Sequence, residues 1–557
     1  MDNKKTVRLI LALILLFGAG VRFWGLRWGL PYEYQSEEYK IVKYALRMGS
    51  GDLNPHFFEY PSLYLYAMLF TYGATYAAGR TLGRFSDPHD FALSFVRDPT
   101  PFYLMGRAYE AAFGVLILLL IYRIGRRIFN EEAALCSAFI FAAQPQFVFM
   151  SHMIKGYMGM IALLLAFFWQ CLNVAERGRL RDYVLTGILL GLAVSTRYHA
   201  APFGIVLPAA HFLRIRLRGP HGPLLLSLFL IPVFFLAGTP YAALAPQELW
   251  KDLGGNIALS AGGAGPSYLR RLGTAASWFL TLGDIPSPRI LGAALAVGFA
   301  YACFFRWRSG LFLVLALIAG YLPIVGGYFR PAGGYLLQVF PLFAMAGCYG
   351  LFSIPNKYLR AAGLGALTAG MVWNGALGLA WARSYTRPDT RTQAKEWIEA
   401  NLPQGSKILI DVKVQAPPLL PSYEQLKKFR DIAAAAGNYK KEYLALQLEA
   451  HPGPGQGYEI VMVERDYRQI CSLEHQVLES QVTQDLFIAD GDIGRLKKAG
   501  IEYAVTEETV ALGALGSDLP GIADYYRNLP VKARLVKDFE PAPGFRHSGR
   551  IAVYSLD

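Results

Sequence analysis

The chain has 557 residues, a formal net charge of +13 at pH 7, 54% hydrophobic residues and only 17% charged residues. Since an average soluble domain carries about 25% charged residues, this composition excludes a disordered chain and an ordinary nucleic-acid-binding protein. It indicates a protein that crosses a membrane several times, and its basic excess needs a membrane explanation.

The charge is divided unequally at Arg383. Residues 384–557 hold 21 Lys and Arg against 24 Asp and Glu, whereas residues 1–383 hold 33 against 17. The whole basic excess therefore lies in the apolar part of the chain. The five cysteines have neither the spacing of metal ligands nor that of a disulfide framework, so they predict no metal site.

Residues 1–383 contain a series of apolar segments, and a helix needs about 20 residues to cross a bilayer. The segments lie at 9–26, 105–122, 133–150, 157–174, 183–196, 199–213, 223–240, 290–305, 310–328, 335–353 and 361–382. Basic clusters fall between alternate segments, for example Arg123, Arg126 and Arg127. Because Lys and Arg in short loops mark the cytoplasmic side, we expect a cytoplasmic N-terminus and an extracytoplasmic segment after Arg383.

Residues 61–80 (PSLYLYAMLFTYGATYAAGR) are long enough to cross the membrane. If they did, the chain would cross the membrane once more before Arg123, Arg126 and Arg127, and these arginines would lie outside. We therefore predict a helix in the outer membrane interface, where tyrosine rings are favoured. It belongs to a first external loop at 27–104, and a second long external loop is expected at 241–289.

The C-terminal residues 384–557 change to the pattern of an α/β domain. Helices are predicted at 391–403 and 491–500, and strands at 406–412, 458–464, 501–508 and 550–556. The expected fold is thus an α-helical polytopic membrane protein with about 11 transmembrane helices plus interfacial helices in residues 1–383. It is followed by an extracytoplasmic α/β domain in residues 384–557.

Two adjacent acids, Glu37 and Glu38, lie in the sequence SEE near the start of the first external loop. A carboxylate just outside a membrane can accept a proton from a hydroxyl nucleophile. The alternative is that Ser36 caps a helix whose first turn carries the acids. Both roles can hold together, because a cap also fixes the side chains that follow it.

Several basic residues lie on the predicted outer side or at span ends, where a lipid phosphate would supply their counter-charge. For each of them the alternative is that the side chain snorkels to the interface or to lipid headgroups. They are Arg107, Lys155, Arg197, Arg270, Arg271, Arg289 and Arg330.

The order of several segments resembles the polytopic glycosyltransferases of the C-type superfamily, GT-C, and is most similar to the bacterial branch related to protein O-mannosyltransferases and aminoarabinose transferases. The matching segments are SEE at 36–38, GDLNPHFFEYPSLYLY at 51–66, RAYEAAFGVLILLLIYRIGRRIFNEEAAL at 107–135, SHMIKGY at 151–157, STRYHA at 195–200, TPYA at 239–242 and RPAGGYLLQVFPLFA at 330–344. Their order and spacing are more specific than any one of them.

The resemblance implies an enzyme of the cytoplasmic membrane that moves a sugar from a polyprenyl-phosphate-linked donor to an extracytoplasmic glycan, lipid or protein acceptor. It implies that Glu37 is the general base and that Glu38 follows it in the motif. Basic side chains would stabilise the charge that develops on the phosphate. The substrate-binding candidates are Lys155, Arg197, Arg330, Tyr335, Arg107, His56 and Tyr157.

Two positions depart from the family pattern. Glu37 stands where the family has Asp, and Tyr157 stands where the second external loop has Asp. The second change weakens any metal-dependent mechanism; a divalent cation stays an open alternative that no motif supports. The two changes also leave a second function open, that of a non-catalytic paralogue that binds polyprenyl lipid or scaffolds an envelope glycan complex.

Overall fold

The computed structural model describes residues 3–215, 219–261, 268–283, 285, 288–305, 315–317, 336–411, 414–463, 485–487, 491–516, 520–544 and 547–556. The chain forms two compact units. Unit 1 comprises Met1–Leu26, Lys40–Gly73 and Tyr103–Arg383, and unit 2 comprises Arg27–Tyr39, Ala74–Phe102 and Ser384–Asp557. Unit 2 thus takes in two stretches of the predicted first external loop, and the division of the sequence into 1–383 and 384–557 stays a prediction.

Helices account for nearly all regular structure up to Ser384. They are α1 (Asn3–Phe23), α2 (Ser36–Met48), α3 (Leu63–Thr81), α4 (Pro88–Arg97), α5 (Thr100–Ile128), α6 (Glu131–Ala143), α7 (Pro145–Ser151), α8 (Tyr157–Glu176), α9 (Leu180–Thr196), a 3-10 helix (Tyr198–Ile205), α10 (Val206–Ile215), α11 (Gly222–Gly238), α12 (Tyr241–Leu244), α13 (Pro246–Ala261), α14 (Tyr268–Thr281), α15 (Arg289–Phe305), α16 (Phe340–Ser353) and α17 (Lys357–Ser384).

Three helices of the described residues are long and apolar enough to cross a membrane, namely α1 from Lys4, α5 and α8. The bent pair of α6 and α7 passes the same test together, and α11, α15 and α16 are shorter apolar helices. The expected count of about 11 spans is therefore not tested. The predicted span 310–328 lies outside the described residues except for 315–317.

Two predicted spans differ from the structure. Residues 133–150 do not form one helix, because α6 and α7 meet at a bend of 61° where Pro145 has no N–H to continue the helical ladder. Residues 199–213 begin as a 3-10 helix containing Pro202 and become α-helical only from Val206. In both places proline interrupts a segment whose hydrophobicity alone suggests one continuous helix.

The two predicted external loops contain helices. The first holds α2, α3 and α4, and the second holds α12, α13 and α14. The helix expected at 61–80 is present as α3, and its location in the membrane interface stays a prediction. The core of unit 1 lies among α5, α6, α8, α9, α15 and α16, with Phe141, Phe147 and Phe340 packed face to face or at an angle.

Unit 2 contains a six-stranded sheet in the order β3-β2-β1-β4-β6-β5. The strands are β1 (Lys407–Ile410), β2 (Glu459–Val463), β3 (Asp485–Phe487), β4 (Tyr503–Glu507), β5 (Arg534–Phe539) and β6 (Ile551–Ser555). Strands β1 to β4 pair in parallel, and β6 runs antiparallel to both β4 and β5. The four predicted strands are present, and β3 and β5 are additional.

Helices cover this sheet on both faces. The helices of this part of the chain are α18 (Thr390–Asn401), α19 (Tyr423–Ala435), α20 (Lys440–Ala450), α21 (Ile493–Lys498), α22 (Glu508–Leu515) and α23 (Pro520–Lys532). Helix α18 packs on one face of the sheet and α21, α22 and α23 on the other, while α19 and α20 share a core of their own. One core includes Leu409, Val461 and Ala504, and the other includes Ile408, Met462 and Val505. Neighbouring residues of one strand thus enter opposite cores, as strand geometry requires.

Candidate active site

The acidic motif SEE forms the first turn of α2. The helix begins at Ser36, and Glu37 and Glu38 follow in its first turn. The Glu38 N–H donates to the Gln35 carbonyl at 3.2 Å, and the Glu38 side chain is buried whereas that of Glu37 is half-buried. A helix N-terminus stabilises negative charge, so the predicted place of both acids in the first turn of a helix is confirmed, whereas the predicted cap by Ser36 stays a prediction. Both acids belong to unit 2.

Residues 49–62 of unit 1 form the connection between α2 and α3, and polar contacts fix it at its start. The His56 ring lies between two carboxylates, with Nε2 2.9 Å from Asp52 Oδ2 and Nδ1 2.9 Å from Glu248 Oε2. His56 has a φ of 47°, a conformation that is uncommon for a side chain other than glycine. The hydrogen bond with His56 lowers the pKa of Asp52. The substrate-binding candidate His56 is thus engaged by acids of its own loop and of α13.

The middle of the same connection is fixed through Phe58. Its N–H donates to Asp252 Oδ2 at 2.7 Å, and its carbonyl accepts from the Tyr198 hydroxyl at 3.2 Å. Burial raises the pKa of Asp252, although the Phe58 N–H partly offsets this effect. The backbone around Phe58 therefore joins α13 to the segment that follows α9.

Arg197 is the centre of a group of buried and half-buried residues that we call the Arg197 cluster, comprising Arg197, Lys155, Tyr60, Tyr157 and Glu110. The Arg197 side chain is only 3% exposed, and Nε and Nη2 both donate to the Lys155 carbonyl, Nε at 2.8 Å. Its guanidinium carbon lies 3.9 Å from the Tyr60 ring centroid and 4.4 Å from that of Tyr157. Aromatic faces attract a guanidinium, so the cation is held in one orientation.

The remaining member of the cluster, Glu110, was not among the sequence candidates. It is fully buried in α5 and accepts from the N–H groups of Gly156 at 2.6 Å and Met158 at 3.0 Å. These donors stand at the start of α8, where a carboxylate is favoured. A sequence signal existed, since Glu110 is the single acid in the apolar segment 105–122 and ionisable groups at membrane depth are functional candidates.

Arg107 is placed by different contacts. Its Nη1 donates to the Leu26 carbonyl, 2.7 Å away, just beyond the end of α1. His152 is next to the same region, with Nδ1 2.8 Å from the Val148 carbonyl and Nε2 2.9 Å from the Trp24 carbonyl. These contacts fit His152 as a hydrogen-bonded structural residue, as expected for a histidine beside an apolar helix.

Four segments that carry the family resemblance meet in unit 1. Residues 51–66 and 239–242 are joined where the Ser62 N–H donates to Thr239 Oγ1 at 3.2 Å, and Thr239 is 2.7 Å from Ser195 Oγ in the third segment. The fourth, residues 151–157, is joined through the bonds from Arg197 to Lys155. These four segments, which are far apart in the sequence, thus come together at one place in unit 1.

The structure brings Lys155, Arg197 and Tyr157 together, while His56 and Arg107 have separate sets of partners in unit 1. Arg330 and Tyr335 lie outside the described residues. Within the part of the chain that the structure describes, no group of three or more His, Cys, Asp or Glu could hold a metal ion.

Part of the chain is similar to a known protein family. Residues 104–236, from α5 into α11, match the family model described as dolichyl-phosphate-mannose-protein mannosyltransferase. No curated protein matches the chain.

Solved structures are similar over the whole chain. The crystal structure of ArnT from Cupriavidus metallidurans bound to undecaprenyl phosphate has 14% identity and a TM-score of 0.52, with 99% of this chain and 98% of ArnT covered. The apo state of ArnT gives the same identity and TM-score, with 100% and 99% covered. The Archaeoglobus fulgidus oligosaccharyltransferase tethered with an acceptor peptide has 13% identity and a TM-score of 0.46, with 100% of this chain and 74% of that chain covered. At these identities the likeness to ArnT shows the fold.

Proposed function

We propose that this multi-pass membrane protein, which has the GT-C fold of membrane glycosyltransferases, transfers a sugar from a polyprenyl-phosphate-linked donor to an acceptor outside the cytoplasmic membrane. The observation that carries the proposal is the meeting of segments 51–66, 151–157, 195–200 and 239–242 at the Arg197 cluster. The undecaprenyl phosphate bound to ArnT supports the same class of lipid for the donor.

In the proposed reaction the Glu37 carboxylate acts as general base. It takes the proton of the acceptor hydroxyl as that oxygen attacks the anomeric carbon of the sugar, and the bond from this carbon to the phosphate oxygen breaks. The electron pair leaves with the polyprenyl phosphate, which needs no strong acid because phosphate is already a stable anion. The anomeric configuration is inverted in this single displacement.

Cationic side chains would stabilise the departing phosphate. We assign this role to Lys155 and Arg197, and to Arg330 by the sequence resemblance. Arg197 is suited to it because the Lys155 carbonyl and the Tyr60 and Tyr157 rings already fix its guanidinium. A charge held in place before the reaction costs no reorganisation when the phosphate charge develops. Tyr335, Arg107 and His56 stay candidates for contacts with the sugar or lipid.

Glu37→Gln tests the general base. The purified protein in liposomes is given a panel of undecaprenyl-phosphate-linked sugars together with candidate glycan, lipid and protein acceptors, and both sugar release from the donor and lipid binding are measured. We expect turnover to fall about 10²- to 10⁴-fold, since this is the usual contribution of general-base catalysis. Binding of the lipid should be unchanged. Full turnover by Glu37→Gln would remove the assignment of the base.

Glu424→Gln is the matched control. Glu424 also lies in the first turn of a helix, α19, and is exposed. The control therefore loses the same interaction with a helix N-terminus, worth about 0.3–1 kcal/mol, and should keep full turnover.

Lipid binding without turnover is a second candidate function. Tyr157 favours it, because an aromatic side chain with no carboxylate stands where the resembling family has an acid, and its ring is occupied by Arg197. Wild-type protein that binds undecaprenyl phosphate but releases no sugar from any member of the donor panel would support this function and contradict transfer.

A further inference from the structure

The segment just before α2 is anchored within unit 2. Trp28 and Tyr34 are each only 5% exposed. The Tyr34 hydroxyl lies 2.7 Å from Thr392 Oγ1 of α18. Burial raises the pKa of Tyr34, so the phenol stays neutral and can donate this bond. The residues that precede the acidic motif are therefore held by the C-terminal part of the chain.

Arg391 provides the second contact to Tyr34. Its guanidinium carbon is 3.8 Å from the centroid of the Tyr34 ring, and the side chain is 1% exposed. Nε and Nη2 bind the two oxygens of Asp389 at 2.9 and 2.7 Å, and Nη1 donates to the Val414 carbonyl at 2.7 Å. The ion pair, the Val414 carbonyl and the aromatic ring thus fix the orientation of the guanidinium.

A buried ion pair is weak evidence of stabilisation, because removing both charges from water costs several kcal/mol per ion. The pair of Asp389 and Arg391 is only 4% and 1% exposed. A role in fixing one side-chain geometry explains such a pair better than a gain in stability does. Here the pair holds the planar Arg391 guanidinium against the Tyr34 ring.

Trp28 fixes the other end of the segment. Its ring lies 4.6 Å from the His547 ring and 5.5 Å from the Tyr385 ring, measured between centroids. His547 is itself stacked on Tyr385 at 4.2 Å and its Nε2 lies 2.8 Å from Ser384 Oγ. Residues 28–34 are therefore attached at both ends. We call the group of Trp28, Tyr34, Asp389, Arg391 and Thr392 the Arg391 clamp.

We propose that Asp389 and Arg391 are positioning residues for Glu37. Glu37 follows Tyr34 by three residues, which is at most about 10 Å of chain, and α2 begins between them. The orientation of Tyr34 therefore sets the start of the helix that carries the carboxylate. The role of Glu37 as base rests on the proposed function, whereas the anchoring of its segment does not.

The proposal gives the C-terminal part of unit 2 a role in catalysis. A displacement of about 1 Å at a catalytic group can cost about 10²-fold in rate. Loss of the Arg391 clamp should thus act on the rate of transfer and leave the affinity for the donor lipid unchanged, since the clamp itself touches no substrate in the proposed mechanism.

Arg391→Met in the full-length protein tests this, because methionine keeps an apolar chain over Tyr34 and removes every N–H donor. We expect kcat to fall about 10- to 100-fold with KM for the donor lipid unchanged. Hydrogen exchange of the amides in residues 36–48 should become about tenfold faster. Tyr34→Phe, which removes only the bond to Thr392, should shift both quantities in the same direction by less, and it serves if Arg391→Met does not fold.

Arg550→Met is the matched control, because Arg550 also pairs with an aspartate of unit 2, Asp538, through Nε and Nη2. It should leave kcat and the exchange of residues 36–48 unchanged. Faster exchange with unchanged kcat in Arg391→Met would overturn the proposal, and so would unchanged exchange. If the wild type transfers no sugar, the proposed function fails, and unchanged exchange in Arg391→Met would then still count against the anchoring.

Discussion

At the scale of single residues, two aromatic rings rather than a carboxylate contact the buried cation of Arg197 among the hydrogen bonds and ring contacts described above. The Tyr157 ring lies 4.4 Å from the Arg197 guanidinium carbon, and Tyr60 covers it at 3.9 Å. A ring face attracts a cation without adding a charge of its own. Tyr157 is thus an attractive partner for Arg197 that adds no negative charge at this place.

Tyr157→Ala and Tyr157→Phe separate the ring from its hydroxyl. Alanine removes the ring and should lower the melting temperature of the detergent-solubilised protein, since a desolvated cation–π contact is worth about 2 kcal/mol. Phenylalanine keeps a ring face and should melt within a degree or two of the wild type. Equal melting temperatures for the alanine variant and the wild type would contradict the role of the ring.

Asp252 and Asp52 predict opposite pH effects. Burial raises the pKa of Asp252, so the folded state binds this proton more tightly than the unfolded state. Its contribution to stability therefore falls as the pH rises from about 4 through the folded pKa. Asp252→Asn should raise the melting temperature relative to wild type at pH 7 more than at pH 4, while the amide oxygen still accepts from Phe58.

Asp52→Asn is the counterpart. Its pKa is lowered, chiefly by His56, so its contribution is present above its ordinary pKa and is lost as the pH falls through the folded pKa. Melting curves of this variant should show a small loss that is similar from pH 7 down to about pH 4 and shrinks only at lower pH. The loss is small because the carboxylate is half exposed. Parallel pH profiles for the two variants would contradict both assignments.

The sequence singled out some of these residues as site candidates but did not indicate their partners. Lys155, Arg197 and Tyr157 lie in short landmark segments, and the structure brings them together. The pairing of His56 with Glu248 joins positions 192 residues apart. Nothing in the local pattern indicates such a pair, because it depends on how remote segments pack.

At the scale of elements, hydrogen bonds from Arg22 compensate for the break between α6 and α7. Pro145 has no N–H, so it cannot bond the Phe141 carbonyl one turn earlier. Arg22, which is fully buried, donates to that carbonyl at 3.0 Å and to the Ala142 carbonyl at 2.9 Å. Arg22 of α1 thus donates hydrogen bonds to carbonyl groups at the bend between α6 and α7, where the backbone supplies no donor for the Phe141 carbonyl.

Arg22→Met should destabilise the protein strongly, since each buried carbonyl left without a donor costs about 1–3 kcal/mol. Pro145→Ala restores an N–H for Phe141 and should recover part of the loss when combined with Arg22→Met. Arg8→Met is the control, because Arg8 belongs to the same helix and is exposed. A double variant no more stable than Arg22→Met alone, by thermal unfolding in detergent, would show that the freed carbonyl is not the cause.

The two strands that the sequence missed, β3 and β5, both lack a detectable period of apolar residues. Strand β5 is mostly exposed or half-buried, so it lacks the apolar alternation that identifies a strand. Strand β3 has three residues, too few for any period. By contrast β1, β2, β4 and β6 each bury at least three residues, and all four were predicted.

At the scale of the whole molecule, the family resemblance is confirmed at the level of fold. ArnT matches over 99% of the chain although only 14% of residues are identical. The order of the short landmark segments, which is more specific than any one of them, thus predicted this fold.

The uneven charge of the chain predicts its orientation. Short basic turns such as Arg177–Gly178–Arg179 are expected in the cytoplasm. The segment 384–557, which has a net negative charge, is expected outside. Alkaline phosphatase fused after residue 557 should be active in cells, because this enzyme folds only outside the cytoplasm, and green fluorescent protein at the same place should be dark. Fusions after Gly178 should give the opposite pair of signals.

Substituting Arg177, Arg179 and Arg181 by glutamine tests whether these basic residues set that orientation. Because the bias of Lys and Arg in loops close to the spans directs insertion, their loss should lower phosphatase activity at the C-terminus and raise it after Gly178. Glutamine in place of Arg495, Lys497 and Lys498, which lie in α21 of unit 2, is the matched control and should change neither signal. If the C-terminal phosphatase fusion stays active after the loop substitutions, the remaining basic turns are sufficient to set the orientation. If the fusion is inactive in the wild-type protein, the predicted orientation itself is contradicted.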